Sequence, residues 1–142
     1  MELPTDQIAY SPVEQSSSQT IDISKQPTYN ELMQTWQECN KPNWDGDGAL
    51  PINEETLTHT RRLIDALPDS YELPSIGVEP DGEITLEWYR NSRWVFSVSV
   101  GPGSILTYAA LFDDSNHRGA MRFSDTVPEI MMTLIQKVIS HA

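Results

Sequence analysis

The chain has 142 residues, about one domain by length, and a chain of this size can bury roughly two thirds of its unfolded surface without disulfides. Nine Lys and Arg stand against 21 Asp and Glu, a formal charge of −12, which argues against direct contact with nucleic acid or anionic lipid because phosphates demand a basic face. Cys39 is alone, no apolar run nears the roughly 18 residues of a membrane span, and Met1–Asp6 lack the basic-then-apolar start of a secretory signal; a cytoplasmic protein is expected.

Residues 1–27 read as a polar, flexible tail. Pro4, Pro12 and Pro27 interrupt any regular element, and Glu14–Thr20 has no apolar period. Ile21 and Ile23 suit a short extended segment that adds to a sheet edge or a partner. Residues 28–142 read as one acidic domain.

The first helix is expected from Thr28, because Thr28-Tyr29-Asn30-Glu31 has the spacing of a capping box, with Leu32, Met33 and Trp36 as its apolar face and Lys41-Pro42 as its end. A second helix opens at Asn53, with Glu54 and Glu55 favoured by the dipole of its first turn. Its stripe runs Leu57, Ile64, Leu67, and Pro68 closes it. His59 lies off that stripe and should be solvated.

From Ile76 the apolar period changes to two. Pro80-Asp81-Gly82 suits a three-residue hairpin loop, setting Val78 opposite Ile84 and Ile76 opposite Leu86. Treating Arg90-Asn91-Ser92 alike sets Trp88 opposite Trp94, Leu86 opposite Phe96 and Ile84 opposite Val98. Treating Gly101-Pro102-Gly103 alike sets Val98 opposite Leu106 and Phe96 opposite Tyr108. One apolar face results. The other carries Glu79, Glu83, Thr85, Glu87, Arg93, Ser97, Ser99 and Thr107 and should meet water. Met121 and Phe123 suggest a short fifth strand after a polar loop, Asp113–Arg118. Thr126-Val127-Pro128-Glu129 resembles a second capping box, opening a helix that buries Ile130, Met131, Leu134, Ile135 and Val138. The expected fold is α+β: an antiparallel meander of four to five strands covered on one face by helices, in the order α-α-β-β-β-β-(β)-α.

The most distinctive stretch is Asn43-Trp44-Asp45-Gly46-Asp47-Gly48-Ala49-Leu50-Pro51-Ile52-Asn53-Glu54. It resembles an EF-hand calcium loop, with oxygen ligands at positions one, three and five, glycine at six, an aliphatic at eight and glutamate at twelve. The resemblance implies calcium held by Asn43, Asp45, Asp47 and Glu54; Asn43 stands where aspartate is usual, and Pro42 interrupts the entering helix. The ordinary alternative is a Gly-rich turn in which Asp45 or Asp47 caps backbone N–H groups and Trp44 packs inward.

Asn43–Pro51 also resembles the N-W-D-G-x-G-A-x-P motif of an uncharacterised family of small bacterial proteins, which pair it with a later strand like Asp81–Trp88. That likeness spans about residues 29–140. It implies the fold and a bacterial or phage origin, and it brings no activity or site residues with it.

Catalytic constellations are thin. His117 with Asp113, Asp114 and Ser115 holds the residue types of a hydrolase triad, but four residues in one short loop rarely reach nucleophile–base–orienter geometry. Nucleophile elbows, phosphate loops and zinc spacings are missing from the sequence. The acidic sheet face is the better candidate. Glu79 falls nearly opposite Glu83 with Glu87 beyond, and like charges facing across strands cost a few tenths of a kcal/mol, so stability alone does not select them. Together with Asp81, Asp113 and Asp114 they suggest an acidic ridge for a basic, nucleic-acid-handling protein partner, in the manner of antitoxins, nuclease immunity proteins and anti-CRISPR proteins.

Overall fold

A computed structural model describes residues 23–141. The Ile21 expectation and most of the expected tail lie outside those residues. Residues 23–27, assigned to the tail, instead form a 3-10 turn, Ile23–Lys25, that runs directly into α1, Gln26–Cys39. The capping box at Thr28 is therefore not used. Thr28 is a buried residue of the first turn, and Pro27 stands at the helix start, where its missing N–H costs nothing. Lys25, at the N-cap, is itself buried. Its ammonium donates to the carbonyls of Asp65 at 3.0 Å and Leu67 at 2.7 Å and lies 3.5 Å from Asp69.

Helix α2, Glu54–Ala66, is capped as its sequence requires, with Asn53 Oδ1 accepting from the N–H of Glu55 at 2.7 Å. Ile64 and Leu67 of the expected stripe are buried, and Thr56, Thr60 and Leu63 are buried beside them. Thr60 donates its hydroxyl to the Thr56 carbonyl one turn back and so enters the core satisfied. Leu57 is only partly buried.

The sheet is a meander in strand order β1-β2-β3-β4-β5, every pair antiparallel: β1 Ser75–Val78, β2 Ile84–Asn91, β3 Trp94–Val100, β4 Ile105–Phe112 and β5 Ser115–Arg122. The first hairpin has its expected register, Val78 to Ile84 and Ile76 to Leu86, with Gly82 at φ 89°. The next two are each displaced by two residues. Trp88 pairs with Phe96 and Leu86 with Val98, because an irregularity between Tyr89 and Asn91 absorbs a residue and Asn91 then pairs with Trp94 around a two-residue turn. Val98 pairs with Tyr108 and Phe96 with Ala110, because the chain reverses over the four residues between Val100 and Ile105. A displacement of two leaves every side chain on its expected face. Ile84, Leu86, Trp88, Phe96, Val98, Val100 and Leu106 are all buried.

The fifth strand is longer than expected. Asp113-Asp114 alone make the turn, with Asp113 at φ 59°, and Ser115–Arg118 belong to β5.

Helix α3, Glu129–Ile139, also dispenses with its expected capping box: Pro128 is the N-cap and Thr126 makes no cap hydrogen bond. It buries Met131, Ile135 and Val138, with Leu134 partly buried and Ile130 turned outward at 48% exposure. All three helices pack on one side of the sheet, α1 against β1, α2 and α3 against β2 and β3. The core between them centres on the stacked rings of Trp88 and Phe96, 5.7 Å apart, with Leu32, Leu63, Ile64, Met131 and Ile135 above. Each such side chain contributes about 1.5–3 kcal/mol when fully buried. Among the described residues, no helix is long and apolar enough to cross a membrane.

Candidate partner-binding face

The side of the sheet away from the helices is uncovered among the described residues. The strand registers order it in cross-strand rows. One row reads Glu87, Ser97, Ala109, Arg118; the next reads Thr85, Ser99, Thr107, Ala120; on the other side lies Tyr89, Val95, Leu111, Asn116. Carboxylates therefore occupy the β1–β2 side, small side chains the middle, and Arg118 and Arg122 the β5 side.

The acidic side is tightest at the β1–β2 turn, where oxygens of Glu79, Asp81 and Glu83 all lie within 4.8 Å of one another. The backbone forces this. Glu79 and Glu83 close the hairpin through a 2.9 Å N–H to carbonyl bond, and Asp81 turns back to accept from the N–H of Glu83 at 2.9 Å. Glu79 is held further. Its Oε2 accepts from the Thr85 hydroxyl at 2.5 Å and the Ser99 hydroxyl at 2.6 Å, so the carboxylate lies fixed across two neighbouring strands. Burial, then the charges of Asp81 and Glu79, push the Glu83 carboxyl above its usual range. Its carboxylate rests against Gly101, where an added Cβ would lie 3.0 Å from Glu83 Oε2.

Glu87 shares the face with Glu83, four residues further along the strand and beyond Thr85. Asp113 and Asp114 do not join it. The β4–β5 turn lies at the opposite end of the sheet, beside the β2–β3 turn, since Trp94 pairs with Phe112. There Arg93 forks onto both, 3.2 Å from Asp113 and 3.1 Å from Asp114, while the Asp113 N–H donates to the Arg93 carbonyl at 2.7 Å. The six acidic residues expected on one ridge thus divide into Glu79, Asp81 and Glu83 at one end, Glu87 midway along β2, and at the other end a pair that shares the single guanidinium of Arg93. Thr85 and Ser99 were legible only as open-face residues; that they grip Glu79 needed the register.

The Asn43–Glu54 stretch is a self-hydrogen-bonded loop. Asp45 Oδ1 accepts from the N–H groups of Asp47 at 2.8 Å and Ala49 at 3.0 Å, which holds its carboxyl below the usual range. Asn43 Oδ1 accepts from Gly48 N–H at 2.6 Å. Trp44 donates its indole N–H to the Leu50 carbonyl at 2.6 Å and packs partly buried against the core. Glu54 is the first residue of α2, and among the described residues Asp45, Asp47 and Glu54 do not form a converging acidic cluster like that of Glu79, Asp81 and Glu83. The loop leans on the acidic turn: Leu50 N–H donates to the Pro80 carbonyl at 2.8 Å, and Gly82 passes so close that a Cβ there would meet the Pro51 carbonyl oxygen at 2.5 Å.

The histidines are dispersed. His117, expected in a loop beside Asp113 and Asp114, sits on β5 opposite Ala110, with its ring 5.6 Å from that of Phe112. His59, expected in solvent, is half-buried, with Nδ1 3.4 Å from the Gly101 carbonyl. Cys39 is buried, and that burial raises its thiol pKa.

No family model, curated protein or solved structure matches the chain.

Proposed function

We propose that this chain is a non-enzymatic acidic binding protein that neutralises a bacterial nucleic-acid-handling protein by occupying its basic surface. The observation that carries the reading is the Glu79–Asp81–Glu83 cluster, set with Glu87 on a sheet face that no described helix covers. Burial, and after it the neighbouring charges of Asp81 and Glu79, disfavour the Glu83 carboxylate in the free protein, and a cationic partner would offset the like-charge part. Glu79, pinned by two hydroxyls, offers a carboxylate already fixed in place, which lowers the ordering cost of association. The −12 charge of the chain steers such an encounter and makes it salt-sensitive. The likeness of Asn43–Pro51 to a bacterial family motif agrees with a bacterial or phage setting for that partner.

The test is a pull-down from bacterial extract at low salt with the native chain and a Glu83→Lys/Glu87→Lys variant. The reading expects nucleic-acid-binding proteins that are released by salt and by added duplex DNA, and that the variant fails to retain. Recovery of the same proteins by both chains removes the reading.

A calcium-responsive loop at Asn43, Asp45, Asp47 and Glu54 is the second reading. It is favoured by Gly48, whose φ of 84° supplies a sharp turn at position six of the EF-hand pattern. Millimolar calcium should then raise the thermal midpoint relative to chelator, and Asp45→Asn should abolish the rise. An unchanged midpoint eliminates calcium.

A further inference from the structure

The antiparallel pair α1–α2 leaves a groove of about 240 Å³ on its outer surface, lined by Tyr29, Leu32 and Met33 from α1 and Leu57, Arg61 and Arg62 from α2. That is below the roughly 300 Å³ at which pockets for drug-sized ligands begin, and it suits one or two side chains of a peptide. The floor is apolar. Met33 stands 43% exposed on its rim. The wall is cationic in a chain that is otherwise acidic: Arg61 stacks 3.9 Å above the Tyr29 ring and pairs with Asp65 at 3.4 Å, while Arg62 makes no ion pair among the described residues.

We infer that this groove is the docking site of the chain's own N-terminal segment, with Ile8 and Tyr10 on the apolar floor and Asp6 at Arg62. Composition, reach and concentration each support this occupant. Residues 1–22 carry Glu2, Asp6, Glu14 and Asp22 and no Lys, Arg or His, so their charge is opposite to that of Arg61 and Arg62. Ile8-Ala9-Tyr10 supplies adjacent apolar residues directly after Asp6.

Reach follows from where the described chain begins. Lys25 is fixed at the carbonyls of Asp65 and Leu67, so the segment starts beside the C-terminal end of α2, and the groove begins one helical turn into α1 at Tyr29. Twelve residues, the number from 11 to 22, span roughly 20 Å r.m.s. as a random coil, and the distance from Lys25 to Met33 along α1 is about 12 Å. A tether of that length holds the segment at an effective concentration on the order of millimolar, so a weak contact suffices and an outside peptide must bind more tightly to compete. A second copy is disfavoured by the charge of −12 that each carries.

The experiment uses the full chain. A nitroxide is attached at Ser11→Cys in a Cys39→Ala background, and the methyl signals of Met33 and Leu57 are compared before and after the label is reduced. Docking in cis removes most of the intensity of both methyls in the oxidised sample while leaving those of Val100 and Leu106 intact. Ile8→Asp in the same chain restores the lost signals, and Arg62→Glu, at an exposed site, weakens the effect. Full intensity at Met33 and Leu57 overturns the inference. So does broadening that appears only between labelled and unlabelled molecules in a mixed sample, which would make a second copy the occupant.

Discussion

Gly82→Ala separates two costs that usually arrive together. Gly82 has φ 89°, a backbone that an L side chain adopts at a penalty of roughly 1–2 kcal/mol. An added Cβ would in addition lie 2.5 Å from the carbonyl oxygen of Pro51, and that atom belongs to backbone, in a loop tied to the same turn by the 2.8 Å bond from Leu50 to Pro80. Neither side can yield without parting the loop from the turn, which adds the roughly 1 kcal/mol of a lost hydrogen bond and more for the displaced packing of Ala49 and Ile52. The sum is about 3–4 kcal/mol, a large share of the roughly 5–15 kcal/mol that holds a domain together. Two companions calibrate it. Gly46→Ala pays for φ 77° but meets nothing within 4 Å, so about 1 kcal/mol is expected; Gly103→Ala has neither cost and should fall within roughly 0.5 kcal/mol of zero. Urea unfolding followed by tryptophan fluorescence measures all three at constant m-value. If Gly82→Ala costs no more than Gly46→Ala, the loop and the turn are not interlocked and the reasoning fails.

Glu83→Gln should stabilise the free protein at neutral pH. A carboxyl whose folded pKa is raised binds more protons folded than unfolded, so its penalty is fully present above the folded pKa and disappears as pH falls below the ordinary glutamate value of about 4.3. Unfolding midpoints of the two proteins should therefore converge in acid; a constant gap across pH would contradict a raised Glu83 carboxyl. Lys25→Met leaves the Asp65 and Leu67 carbonyls without their buried donor and should cost about 1–3 kcal/mol in urea unfolding, whereas an unchanged midpoint would mean that water replaces the ammonium. Thr85→Val with Ser99→Ala frees Glu79 and should weaken capture of the cationic partner less than Glu83→Lys/Glu87→Lys does; an equal loss would place the binding energy in the hydroxyls instead.

Faces were legible in the sequence where pairings were not. Period-two hydrophobicity placed Trp88, Phe96 and Val98 inward because the side-chain alternation of a strand is local. Their partners depend on turn length, and the irregularity at Tyr89–Asn91 and the long reversal after Val100 each moved the register by two without moving a side chain to the other face. Both unused capping boxes show a local rule overruled. At α1 the buried Lys25 brings the chain into the helix earlier than Thr28, and at α3 the extended backbone of Pro128 delays the helix to Glu129, two residues later than a cap at Thr126 would start it. The carboxylates of the site were readable as open-face residues, and the closeness of Glu79, Asp81 and Glu83 followed from a correctly read turn. Separation of Asp113 and Asp114 from them was not readable, because it depends on which hairpin ends share an edge of the sheet.

The order of the elements has a consequence during synthesis. A meander pairs each strand with its neighbour in the chain, so the sheet can assemble as it leaves the ribosome, hairpin by hairpin. The helices cannot. Leu32, Leu63 and Ile64 emerge ahead of the strands that will cover them, and Ile135 and Val138 arrive only after β5 is made, so both ends of the chain must wait for its middle. During that interval the apolar faces of α1 and α2 are carried by a chain whose surplus of carboxylates repels its own copies, and abundant negative charge then protects the nascent chain from aggregation before it serves any finished surface.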